Sequence, residues 1–123
     1  VSTPEHVPIP TPDALVRRLV ELSLLLDKAH KDLERLDEMA VRAKSKHRVA
    51  YARAFLDSTG AMDMRTQTAI ALTGDAWFEY ELAEQQVRAC KERVRTLRDQ
   101  LEIARSLSAA LRSEWAATGI GQP

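Results

Sequence analysis

Between Val41 and Leu56 lie five basic residues, Arg42, Lys44, Lys46, Arg48 and Arg53, with no acid among them and with His47, Tyr51 and Phe55 interleaved. Cations in such a run neutralise phosphates, and aromatic rings among them offer faces to unpaired bases, the combination used by non-specific single-strand binders. On a helix, Arg42, Lys46 and Arg53 fall near one azimuth and Lys44 and Arg48 near another, so the charge covers two flanks. A second basic set, Arg88, Lys91, Arg93, Arg95 and Arg98, holds only Glu92 as a counterweight. Arg65 stands apart among the hydroxyls of Ser58, Thr59, Thr66 and Thr68, a composition suited to a binding loop and equally to an ordinary turn. The residues expected to contact DNA are therefore Arg42, Lys44, Lys46, Arg48, Tyr51, Arg53 and Arg65.

Catalysis needs convergent groups, and the sequence offers none. His6, His30 and His47 are distant from Cys90 in sequence and show no H-x-x-x-H or C-x-x-C spacing, so no metal site is expected. No glycine-rich phosphate loop occurs. Ser45, Ser58, Ser106, Ser108 and Ser113 have neither a G-x-S-x-G context nor an evident base. The expectation is a protein that is no enzyme and needs no cofactor.

The elements that position the basic run follow from composition. The chain has 123 residues, 45% of them apolar and 29% charged, with 18 Lys plus Arg against 18 Asp plus Glu, which fits one neutral soluble domain rather than a basic histone-like chain. Few aromatics, four glycines and five prolines leave little turn chemistry for an all-β fold. The single cysteine, short apolar runs and lack of a recognisable signal peptide lead to an expected cytoplasmic location with no membrane span.

Pro4, Pro8, Pro10 and Pro12 make residues 1–12 an extended arm. Thr11, Pro12 and Asp13 then supply an N-cap, a first-position proline and an acid for a helix start, giving a helix over 13–57. Leu15, Leu19, Leu22, Leu26, Ala29, Leu33, Leu36, Ala40, Ala43, His47, Ala50 and Ala54 recur at alternating spacings of four and three, the heptad signature of a coiled coil. His47, on that repeat, reads as a polar seam residue tuning register.

Residues 58–75 form a connector, with a short helix between Asp63 and Leu72. A second repeat, Ala76, Tyr80, Ala83, Val87, Cys90, Val94, Leu97, Leu101, Ala104, Ser108, Leu111 and Trp115, gives a helix over 76–118 with Asp75 as its N-cap and 119–123 as a tail. Two long helices with a short connector fold back most simply as an antiparallel coiled-coil hairpin, an all-α fold. Pairing residues whose numbers sum to about 130 sets Leu33 beside Leu97, Ala29 beside Leu101, Leu26 beside Ala104 and Ala50 beside Tyr80, large facing small as packed layers require. Under this register Glu79, Glu81 and Glu84 lie opposite the first basic run, and Asp32, Glu34, Asp37 and Glu38 opposite the second. Cross-helix ion pairs are thus an alternative use for the same cations. Trp77 and Phe78 are expected to pack on Ile70 and Leu72.

A hairpin leaves most of each helix uncovered, so self-assembly is expected. Val16, Val20, Leu24 and Leu25 widen the first stripe, and Ile103, Leu107, Ala110 and Leu111 extend the second, all near the chain termini. A monomeric bundle in which the arm or connector covers these side chains is the alternative.

The stretch K-x-K-x-R-x-A-Y-A-R-A-F-L from Lys44 to Leu56, the polar turn, Arg65, and a second helix ending R-S-L-S-A-A-L-R-S-E-W resemble small helical proteins of tailed actinobacterial phages that accompany recombination and single-strand-annealing genes. The layout over residues 13–117 also resembles the UvsY-type recombination mediator. That resemblance implies a closed homo-oligomer that binds single-stranded DNA and helps a recombinase or annealing protein displace the single-strand binding protein, in the host cytoplasm. It implies that Lys44, Lys46, Arg48, Tyr51 and Arg53 correspond to the family's basic helix end, Arg65 to its connector, and Ile103, Leu107 and Leu111 to its assembly region. The proline-rich arm and the acids facing the basic run depart from that pattern. Two readings from other classes stand beside it, a protein-binding adaptor or inhibitor that uses a coiled-coil surface, and a phage assembly scaffold.

Overall fold

The first helix starts where its residue types dictate. Thr11 Oγ1 accepts the Ala14 N–H at 3.2 Å and the Thr11 carbonyl accepts the Leu15 N–H at 3.0 Å, while Pro12, which has no N–H to satisfy, opens the helix. A computed structural model describes residues 9–118, all-α among those residues, as α1 Pro12–Asp57, α2 Met62–Leu72 and α3 Gly74–Thr118. Residues 1–8 of the expected arm, His6 included, and the expected tail at 119–123 lie outside the described residues.

The two long helices pack antiparallel, with α2 as the short connector, as the two repeats require. They contribute to two compact units, Val1–Lys28 with Arg95–Pro123, and Ala29–Val94. In the first unit Leu15, Leu22, Leu97, Leu101 and Ala104 are buried, and Leu19 and Leu26 half-buried, all on the expected stripes. Trp115 departs from its stripe and is 40% exposed. Ala104 is the last buried residue of α3 among the described residues, and beyond it Ser108 and Leu111 on the same stripe are half-buried.

In the second unit the core is made of smaller groups. Ala40, Ala83 and Val87 form a buried cluster, and Leu33, Leu36 and Ala43 pack against it. Ala29 is fully buried, and the Cys90 thiol lies 3.5 Å from its carbonyl oxygen, a contact between a side chain and the facing helix's backbone.

Register is the point at which the sequence reading needs correction. Lys46 pairs with Glu79 and Asp32 with Arg93, each five residues earlier on α3 than expected, and His47 stacks on Tyr80, three residues earlier. Tyr80 is therefore the partner of His47 rather than Ala50, a slip of about one helical turn. Alternating spacings of four and three repeat along both helices, so neighbouring registers all match apolar to apolar and the pattern alone does not choose among them.

The joint between α2 and α3 is tighter than expected. Thr73 donates its N–H to Ala69 and Ile70 and its hydroxyl to Ala69, closing α2, and its carbonyl accepts the Trp77 N–H at 3.0 Å, opening α3. One buried residue serves both helices, so α3 begins at Gly74 and Asp75 sits in its first turn instead of capping it. The other turn, between Asp57 and Met62, needs Gly60, whose φ of 106° lies in the region that favours glycine.

Leu22, at 1% relative exposure, is the largest fully buried side chain among the described residues. Leu22→Ala should lower unfolding free energy by about 2–5 kcal/mol. Leu56→Ala, at an exposed position, should change it by less than about 0.5 kcal/mol. Urea midpoints followed by helical circular dichroism would compare the two.

Candidate nucleic-acid interface

The basic run occupies the last four turns of α1, wholly within the unit Ala29–Val94. The buried and half-buried stripe Ala40, Ala43, His47, Ala50 and Ala54 fixes which way the remaining side chains face. Arg42, Lys46 and Arg53 flank it on one side. Lys44, Arg48, Tyr51 and Phe55, spaced four, three and four, form a ridge along the other. Lys44 and Arg48 are exposed, and the two aromatics half-buried.

The two flanks differ in how their charge is used. Arg42 makes a 2.8 Å ion pair with Glu38, four residues back, and Lys46 a 3.3 Å pair with Glu79 across the hairpin. Among the described residues, Lys44, Arg48 and Arg53 make no ion pair or hydrogen bond. The Arg65 side chain is half-buried, with Nε 3.0 Å from the Gly60 carbonyl, so one of its donors holds the turn. In the second basic set Arg93 reaches Asp32 at 4.0 Å, Arg95 and Arg98 have partners, and Arg88 and Lys91 carry no ion pair among the described residues. Cross-helix pairing thus accounts for some of the cations, and the ridge of Lys44 and Arg48 is not among them.

Beside that ridge is an apolar cavity of about 390 Å³ that the sequence did not disclose as a site. His47 and Tyr51 of α1, Ile70 of α2, Thr73 and Gly74 at the joint, and Trp77 of α3 line it. His47 is half-buried and held by aromatic neighbours, with Tyr80 stacked at 6.4 Å and 11° and Tyr51 tilted at 6.3 Å. It thus meets Tyr80 across the seam and also lines the cavity. Trp77 and Ile70 line the same cavity and stay 52% and 53% exposed, while Phe78 and Leu72 are more exposed still. The signals were the i,i+4 pair His47 and Tyr51 and the bulky Trp77 just after Gly74. What the sequence could not supply was the position of α2, whose Ile70 completes the wall.

The residues expected at an assembly interface all fall in the other unit. Val16, Val20, Leu24, Leu25, Ile103 and Leu107 are exposed, Leu24 by 65%, and Leu111 is half-buried. Among the described residues no group of three or more His, Cys, Asp or Glu side chains could hold a metal ion, and no helix is long and apolar enough to cross a membrane. Comparison with protein-family models, with curated proteins and with solved structures gives no match.

The Lys46–Glu79 pair is solvent-exposed on both sides. Glu79→Gln should therefore change unfolding free energy by no more than about 1 kcal/mol, and less in high salt, as measured by denaturant unfolding at two ionic strengths.

Proposed function

We propose that this protein is a non-catalytic binding protein that engages single-stranded DNA through the ridge of Lys44, Arg48, Tyr51 and Phe55, and that it acts as a homo-oligomer in phage recombination, as a mediator or accessory protein. The observation that carries this reading is the coincidence, on one flank of one helix, of two cations without protein partners and two aromatic rings. Cations held in ion pairs must exchange partners to meet a phosphate, whereas Lys44 and Arg48 release only counterions. Arg53 and Arg65 supply further positive charge in the same unit.

Self-assembly enters the reading through the other unit, where large apolar side chains on both helices face solvent. Soluble monomers rarely leave so many apolar groups uncovered. Repeating the ridge in each subunit multiplies the phosphates one strand can touch, so a modest patch becomes a firm grip. The same apolar residues favour a second reading, an adaptor or assembly scaffold that binds another protein through Val16, Val20, Ile103 and Leu107.

Lys44→Ala with Arg48→Ala should weaken binding to oligo-dT and reduce the slope of log K against log salt by about 1.4, near 0.7 for each phosphate contact on a single strand, with the solution mass unchanged. An unchanged slope would remove the ridge from the interface. Val20→Asp with Leu107→Asp should instead lower the mass measured by light scattering, while the helical content stays. If the mass of the parent protein is already that of a monomer, the adaptor reading gains.

A further inference from the structure

The aromatic cavity beside the ridge has a composition the ridge alone does not explain. It is lined by the rings of His47, Tyr51 and Trp77 with the side chain of Ile70, and at the joint the Thr73 hydroxyl and N–H both donate to α2 carbonyls. The imidazole of His47, the hydroxyl of Tyr51 and the indole N–H of Trp77 make no hydrogen bond to protein among the described residues. The cavity therefore presents flat apolar faces edged by free polar groups. That is the chemistry of a planar, hydrogen-bonding heterocycle, and its volume of about 390 Å³ lies in the range of small-ligand sites.

Charge decides which heterocycle. Arg48 lies one residue from His47 and three from Tyr51, and Lys44 one turn further back, both without protein partners. On α3, Glu81 and Glu84 follow Trp77 by four and seven residues, on the same helical flank, and repel an anion there. A planar group carrying phosphates on its α1 side fits, which describes a nucleotide within a strand.

We infer that the cavity of His47, Tyr51, Ile70 and Trp77 receives one unstacked base of a single strand, its neighbouring phosphates lying on Arg48 and Lys44. The inference rests on the single-strand reading above and adds a base-binding subsite to it. Bases in a duplex keep both faces stacked and cannot enter without being extruded, so the cavity, rather than the cations, is the source of preference for single strands. His47 stacks on Tyr80, on the seam side of the wall.

The test uses the full chain carrying Trp115→Phe, which leaves Trp77 as the sole tryptophan of the two in the sequence. Oligo-dT and an abasic oligonucleotide of equal length and charge are titrated across a salt series. Oligo-dT should quench Trp77 emission and bind about tenfold more tightly than the abasic strand, within the range for stacking one base on an aromatic group. Gly74→Leu should erase that difference and leave the salt slope intact. A Cβ at Gly74 meets nothing within 4 Å, so a side chain can start from this lining position. Equal affinity for the two strands with unaltered Trp77 emission would overturn the base subsite while salt-dependent binding upheld the interface. Failure of both strands to bind at low salt would overturn both.

Discussion

Close approach of two long helices along a single seam is the constraint on which everything else in this protein depends. Each helix has one main partner and offers it one stripe, so the seam must supply the packing that a larger fold spreads over several neighbours. The unit Ala29–Val94 meets this with small residues. Ala29, Ala40 and Ala83 are buried, Val87 fills between them, and the Cys90 thiol meets the carbonyl of Ala29. A larger side chain at Ala29, already without exposed surface, would have no space to enter. The other unit reaches burial with leucines, Leu15, Leu22, Leu97 and Leu101.

A one-sided seam has a functional corollary. Most of the surface of α1 and α3 is helix flank, and any binding site must be assembled from side chains at spacings of three and four or at a joint between helices. Both kinds occur in the unit Ala29–Val94. Lys44, Arg48, Tyr51 and Phe55 form the first, and the cavity at Thr73 the second. Thr73 makes the joint by ending one helix and starting the next within a single buried residue, which brings Ile70 and Trp77 to one wall. A longer connector would have separated them.

Net neutrality conceals local features in both units. Large apolar side chains are exposed in each, Val16 and Leu107 in one and Val41 and Leu56 in the other, and Lys44 and Arg48, cations without ion pairs, share one flank of α1. Ion pairs do not erase the second feature. The pairs at Arg42 and Lys46 are exposed, where water and salt reduce their attraction and leave them exchangeable.

Secondary structure and the seam were determined by sequence alone, because heptad spacing and end signals are local. Thr11, Pro12 and Asp13 start α1 as their chemistry requires, and every α1 residue on the expected stripe from Leu15 to Ala54 is buried or half-buried. The basic ridge was legible for the same reason, since spacing on a helix assigns a flank. Register was decided only in the tertiary structure. Shifting one heptad helix along another by about a turn still matches apolar to apolar, so pattern cannot distinguish Tyr80 beside His47 from Tyr80 beside Ala50, whereas ring stacking can. The same holds for the cavity, whose walls come from α1 and from the joint between α2 and α3, and for which cations pair across the hairpin. Register, the cavity and the Lys46–Glu79 pair depend on distances between helices, which no spacing within one helix encodes, whereas the Arg42–Glu38 pair is local to α1.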